Sequence, residues 1–272
     1  MPDCNHDCSS CGVENCGSRE IKKLEPHKGT TIKKIIGVMS GKGGVGKSLV
    51  TSLTAVALAK KGYKVAILDA DVTGPSIPKA FGLDGLMAAQ DESGLIPEKS
   101  SLGIKIMSAN LLLEDNEAPI IWRGPLVAGF VQQLFTEVNY GELDYLLIDM
   151  PPGTADIPLT IFQSIPMDGV LVVSSPQELV SMVVAKSINM AKMMYIPLIG
   201  LVENMAYVKC PDCGKEIDVF GSAKFTQEVA RFDIDIVARI PLDPVLASKV
   251  DTGEIEDYDV KLFDSLVSKL EK

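Results

Sequence analysis

The chain lacks any excess of positive charge: Asp and Glu outnumber Lys and Arg by 36 to 26, for a formal net charge of −10. A surface of that sign repels phosphate backbones, which argues against general nucleic-acid binding. No apolar run approaches the roughly 18 residues of a membrane-spanning helix. The start, MPDCNHDCSSCG, carries acids and cysteines where a secretory signal needs positive charge and then an apolar stretch. The expectation is a cytoplasmic protein that neither spans nor coats a membrane. There, six cysteines read as metal ligands or reactive thiols rather than disulfides. Internal repeats are also missing.

What is present divides the chain in two. Residues 1–30 hold four cysteines and both histidines with almost no apolar periodicity, as a tail or a small metal-tied module would. Residues 31–272 alternate short apolar runs with helical patterns. The runs are IIGVM (35–39), KVAIL (64–68), DYLLID (144–149), GVLVVS (169–174), PLIGLVEN (197–204) and IDIVARI (234–240). Continuous apolar runs of this length mark strands covered on both faces. Between them lie the helical patterns SLVTSLTAVALAKKG (48–62), PLVAGFVQQLFTEV (125–138) and ELVSMVVAKSINMAKMM (178–194). The expected fold is α/β, a three-layer sandwich with a mainly parallel sheet between helices.

The run GKGGVGKS, Gly41 to Ser48, follows the first apolar run and opens the first helical pattern. It matches the phosphate-loop pattern in the context that gives the pattern meaning. Gly43, Gly44 and Gly46 let backbone N–H groups curl around phosphate oxygens, Lys47 neutralises them, and the Ser48 hydroxyl is a Mg²⁺ ligand. Asp149, closing DYLLID, sits where a carboxylate supports the Mg²⁺ shell. Asp69 and Asp71, in ILDADVTGPS, end another run; Asp71 is the candidate to orient the attacking water and Asp69 to support Mg²⁺.

Lys42, directly after the first glycine, goes beyond the general motif. With it the sequence resembles the deviant-Walker ATPases, which include MinD, ParA and the nitrogenase iron protein. The resemblance implies an ATP-binding homodimer in which this lysine reaches the partner's nucleotide. It also implies that Gly41, Lys42, Gly43, Gly44, Val45, Gly46, Lys47 and Ser48 line the ATP site, with Asn204 on the adenine and Ile240 to Pro244 beside it.

Within that class, GKGGVGKS, DADVTGPSIP, WRGP (122–125), DMPPGTAD (149–156) and the late CPDCG resemble the Mrp/ApbC family of iron–sulfur cluster carriers, which includes the Nbp-type scaffolds. The pair Cys210 and Cys213 is half of a four-thiolate site, and no second CxxC lies nearby. The resemblance implies that the other half is the same pair in a second copy of the chain, bridging one 4Fe-4S cluster destined for apoproteins. From the residues alone, a zinc site and a redox dithiol stay open. Cys4, Cys8, Cys11 and Cys16 are spaced to wrap a second cluster or a metal ion. Arg123 has no role beyond a family signature.

Two other functions share these motifs. A MinD- or ParA-like positioning ATPase would use a basic amphipathic tail, yet DVKLFDSLVSKLEK (259–272) balances Lys261, Lys269 and Lys272 against Asp259, Asp264 and Glu271. Its stripe of Leu262, Phe263, Leu266, Val267 and Leu270 is therefore expected to dock on the domain. A nickel-insertion ATPase with a zinc- or nickel-binding CxxC is the nearer rival, against which WRGP and DMPPGT weigh.

Overall fold

Along TIKKIIGVMS, the first strand β1 (Thr31–Ser40), exposure alternates over four residues and then gives way to six buried ones. The strand thus enters from solvent and ends in the interior. Further buried strands follow as β2 (Val65–Asp69), β7 (Glu142–Asp149), β8 (Gly169–Ser174) and β9 (Leu198–Glu203). The structure is a computed structural model describing residues 23–72, 74, 76–92, 94–112, 124–154, 156–176, 180–220 and 229–272.

Two short hairpin strands, β3 (Ala89–Asp91) and β4 (Gly94–Ile96), stand apart from the main sheet. The sheet adds β5 (Glu98–Lys99), β6 (Lys105–Ser108) and β12 (Ile236–Arg239), in the order β12-β9-β8-β1-β7-β2-β6-β5. Every pairing in it is parallel except β5 with β6. β1 is central, and the chain leaves its neighbours in opposite directions. The carboxyl ends of β1, β7 and β2 therefore border the crevice where ligands of such sheets bind.

Alternate residues of each strand feed two cores. Ile36, Val38, Val65, Ile67, Leu147 and Val173 face one side, with Val50, Leu53 and Val56 of helix α1 (Lys47–Lys60). Ile35, Met39, Leu68, Leu146, Ile148 and Val172 face the other. That second side carries helices α3 (Gly124–Thr136), α4 (Asp156–Ser164) and α5 (Val180–Met193). The result is the three-layer α/β sandwich expected.

Further helices among the described residues lie around α1: α2 (Ile77–Ala80), α6 (Pro244–Asp251) and α7 (Asp264–Leu270). Phe263, Leu266, Val267 and Leu270 are buried in the α1-side core, and Tyr145 Oη and Lys34 Nζ donate to the Leu270 carbonyl at 3.1 and 2.6 Å. The tail's apolar stripe is docked on the domain, as its charge balance predicted. No helix among the described residues is long and apolar enough to cross a membrane.

Candidate functional site: a phosphate loop and a cysteine hairpin on one edge

The loop between β1 and α1 needs glycine at two points. Gly44 and Gly46 both have φ of +82°, a left-handed conformation that costs glycine nothing. Gly46 is also the N-cap of α1, and a Cβ there would sit 2.1 Å from Asn204 Nδ2. The first turn of α1 holds no acidic residue, so its positive end is left for an anion. Beside it lies a cavity of about 300 Å³ lined by Ser40, Lys42, Gly43, Gly44, Gly46, Lys47, Ser48, Asp71, Gly74 and Pro152.

Asp149, fully buried at the end of β7, organises the floor. Its Oδ2 accepts from Lys47 Nζ and from Ser48 Oγ, each at 2.6 Å, and its Oδ1 accepts from Thr51 Oγ1 at 2.6 Å. Lys47 Nζ also lies 3.6 Å from Asp71 Oδ2. A buried carboxylate is tolerable because three donors and one positive charge surround it. Ser48 donates its only proton to Asp149, and its Oγ accepts from Lys47 Nζ at 3.3 Å, which leaves one lone pair for a cation. Hydroxyl and carboxylate oxygens are the ligands a hard divalent ion takes, so the donor set fits Mg²⁺.

Asp69, one strand over, is also buried. Its Oδ2 accepts from Ser108 Oγ at 3.0 Å and its Oδ1 from the Asp71 N–H at 3.1 Å. Burial first, and then the charge of Asp149, push its carboxyl up to about 8, against the pull of Lys47. The Asp71 carboxylate is thus anchored through its own backbone and borders the cavity. Lys42 is exposed at the mouth. Ser40 ties the rim together: its Oγ donates to the Lys42 carbonyl at 2.9 Å, and its carbonyl accepts from the Gly153 N–H at 2.9 Å.

Asn204 follows β9 and is buried against the loop, its Nδ2 donating to the Val45 carbonyl at 2.8 Å. Six residues later comes the cysteine pair. It caps a two-stranded hairpin of β10 (Val208–Lys209) and β11 (Glu216–Ile217). The Cys210 N–H donates to the Lys215 carbonyl and the Gly214 N–H to the Cys210 carbonyl, both at 2.9 Å. Cys210 is half-buried and Cys213 exposed. The backbone N–H groups of Cys213 and Asp212 and the Cys213 thiol hold the Cys210 thiol below its ordinary range, favouring a thiolate. Among the described residues no three His, Cys, Asp or Glu converge as a complete metal site. One chain supplies two cysteine sulfurs here.

Cys4, Cys8, Cys11 and Cys16 lie outside the described residues, as does Arg123. The motifs pointed to Lys47, Ser48, Asp69, Asp71 and Asp149, which the fold brings together. They did not point to Thr51 and Ser108. Thr51 has a signal in hindsight, one helical turn beyond Lys47 and on its face; Ser108 has none, because β6 reaches Asp69 only through sheet pairing.

Comparison with known proteins agrees with this geometry. The chain is 46% identical over 259 residues to the iron-sulfur cluster carrier protein of Clostridium perfringens, covering 92% of this chain and 90% of that one. It is 43% identical over 261 residues to the carrier of Methanocaldococcus jannaschii, covering 93% and 90%. A nucleotide-binding protein from Archaeoglobus fulgidus, solved with ADP and with cobalt found in it, superposes with a TM-score of 0.77 at 46% identity, over 86% of this chain and 91% of that one. MinD from Aquifex aeolicus shares the fold, with a TM-score of 0.61 at 21% identity over 88% of this chain and 98% of its own. Residues 31–270 match the family described as "ParA: NUBPL iron-transfer P-loop NTPase", and the chain belongs to that family.

Proposed function

We propose that the protein is a homodimeric, ATP-hydrolysing carrier that assembles a 4Fe-4S cluster and passes it to apoproteins. One observation carries the reading: an exposed cysteine hairpin with a thiolate-favouring Cys210 stands six residues from a side chain bonded to the phosphate loop. The hairpin offers two cysteines, one half-buried and one exposed, and a tetrahedral cluster site takes four. A second copy of Cys210 and Cys213 completes the set. The cluster is cargo, and the nucleotide governs how firmly two chains hold it.

In this reading Lys47 leaves its position between Asp149 and Asp71 to meet the β- and γ-phosphates, while the loop N–H groups and the end of α1 hold the rest. Ser48 and Asp149, with Asp69 behind them, would hold Mg²⁺, which when bound offsets charge on the phosphate oxygens. Asp71 orients a water toward the γ-phosphate. Lys42, exposed at the mouth, contacts the partner's nucleotide across the dimer. Asn204 and the Ile240–Pro244 turn flank the adenine. Hydrolysis is expected to be slow, because ATP serves here to change the dimer rather than to sustain flux.

The test is anaerobic reconstitution of the full chain with iron and sulfide, followed by metal analysis, absorption spectra and transfer to an apo-ferredoxin with and without ATP. Cluster transfer that depends on Cys210 and Cys213 supports the reading. Stable zinc, nickel or cobalt at the hairpin with no transfer would refute it.

A further inference from the structure

Glu203 ends β9 immediately before Asn204, and its side chain has no exposed surface. Its Oε2 accepts from Arg239 Nε at 2.7 Å, while its Oε1 is buried without a hydrogen-bond partner. Burial raises the Glu203 carboxyl and Arg239 pulls it back. A half-satisfied buried carboxylate is costly, and a guanidinium beside it can ordinarily satisfy both oxygens with its two-pronged fork. Arg239 instead turns the second prong away: its Nη2 donates to Asp218 Oδ1 at 3.2 Å, and its guanidinium lies 5.5 Å from the centroid of the Tyr207 ring.

Those two contacts bracket the cysteine hairpin. Tyr207 immediately precedes β10 and Asp218 immediately follows β11. Arg239, at the end of β12, thus grips both legs of the stem that carries Cys210 and Cys213. Two further bonds join the same segments: the Ala206 N–H donates to the Ile240 carbonyl and the Leu242 N–H to the Tyr207 carbonyl, each at 2.8 Å. On the other side of Glu203, Asn204 is bonded to Val45 of the phosphate loop. A continuous path of contacts runs from that loop to the hairpin, and the orphaned oxygen lies in its middle.

We propose that Arg239 is a positioning residue with two alternative grips, which couples the nucleotide loop to the cysteine hairpin. In the grip seen here it divides its fork between Glu203 and Asp218 and holds the hairpin down. In the other it closes both prongs on Glu203, satisfies Oε1, and releases Asp218. A shift of Val45 and Asn204 when a nucleoside triphosphate enters the loop moves Glu203 and selects between the two. The inference deepens the carrier reading and rests on it for its purpose, since a released hairpin is free to reorient its thiolates. The grip exchange itself needs only that nucleotide bind.

Hydrogen exchange of the full chain, read over Val208–Ile217 with and without a non-hydrolysable ATP analogue, tests it. In the wild type the analogue should speed exchange at the Cys210 and Gly214 amides by roughly two- to fivefold, the range expected for loss of one partly exposed ion pair. In Asp218→Ala, a surface change, exchange should already be at that level without analogue and should not rise further, with analogue affinity within about twofold of wild type. Arg239→Lys keeps the charge but not the fork, and should lose the response in the same way. A hairpin that responds normally in both variants, or not at all in the wild type despite bound analogue, overturns the coupling and leaves the carrier reading standing. Failure of the wild type to bind the analogue overturns both.

Discussion

Replacing Thr51 by Val tests whether the Asp149 floor is built as described. Thr51 has no exposed surface, and its single hydroxyl proton faces two acceptors, Asp149 Oδ1 at 2.6 Å and the Lys47 carbonyl at 3.1 Å. The shorter bond, to a charged acceptor, takes the proton. Valine fills the same volume, so no cavity forms and the loss is that of one donor to a buried carboxylate. Such bonds contribute about 1.5–3 kcal/mol. For a chain of this size about 2 kcal/mol corresponds to a fall in Tm of roughly 4–8 °C.

Thr54→Val is the matched control. Thr54 is equally buried in α1, but its hydroxyl donates to the Val50 carbonyl at 2.7 Å, an acceptor with no net charge. Its loss should cost under about 1 kcal/mol. Thermal and urea unfolding of both variants without nucleotide decides the matter. Equal destabilisation, or none in Thr51→Val, would refute the idea that Thr51 supports the carboxylate.

Other expectations follow from the same geometry. Lys47→Ala should abolish ATP binding in a filter or calorimetric assay, whereas Lys42→Ala should bind ATP and hydrolyse it poorly; normal turnover in the latter removes the case for a lysine acting across the dimer. Asp71→Ala should bind ATP and retain it unhydrolysed in a tighter dimer, seen by sizing chromatography, and unchanged hydrolysis would move the water-orienting role elsewhere. Asp69 holds its proton up to about pH 8 when folded and releases it near pH 4 when unfolded, so folding stability should fall as pH rises between those values. In EDTA, Asp69→Asn should flatten that decline, and an unchanged slope would contradict the assignment.

Much of the fold was legible because a strand covered on both faces must be apolar throughout. IIGVM, DYLLID and GVLVVS could hardly be anything else. The start of β1 was not, since Lys33 and Lys34 interrupt the run while the backbone already pairs with β7. Helix α4 was hidden by Pro158, tolerable in its first turn, where N–H groups have no intrahelical partner. Strand β6 is four residues long, too short for periodicity to register.

At the site, motif spacing marked residues whose chemistry is fixed by a local loop. It could not mark partners supplied by other strands. The Glu203–Arg239 pair joins positions 36 residues apart through the parallel pairing of β9 with β12, and nothing along the chain announces it. Asn204 was legible as the end of an apolar run, but its bond to Val45 depends on how closely that strand end approaches Gly46.

The central claim, that one cluster is shared by two chains through Cys210 and Cys213, is tested most directly by native mass spectrometry after anaerobic reconstitution. The chain used should carry serine at positions 4, 8, 11 and 16, so that only the hairpin thiols remain. The account predicts a dimer holding about four irons and four sulfides, lost entirely rather than halved when Cys210 is also changed to serine. A metal ion or cluster retained by a single chain, or a dimer that keeps its cluster without Cys210, would contradict it.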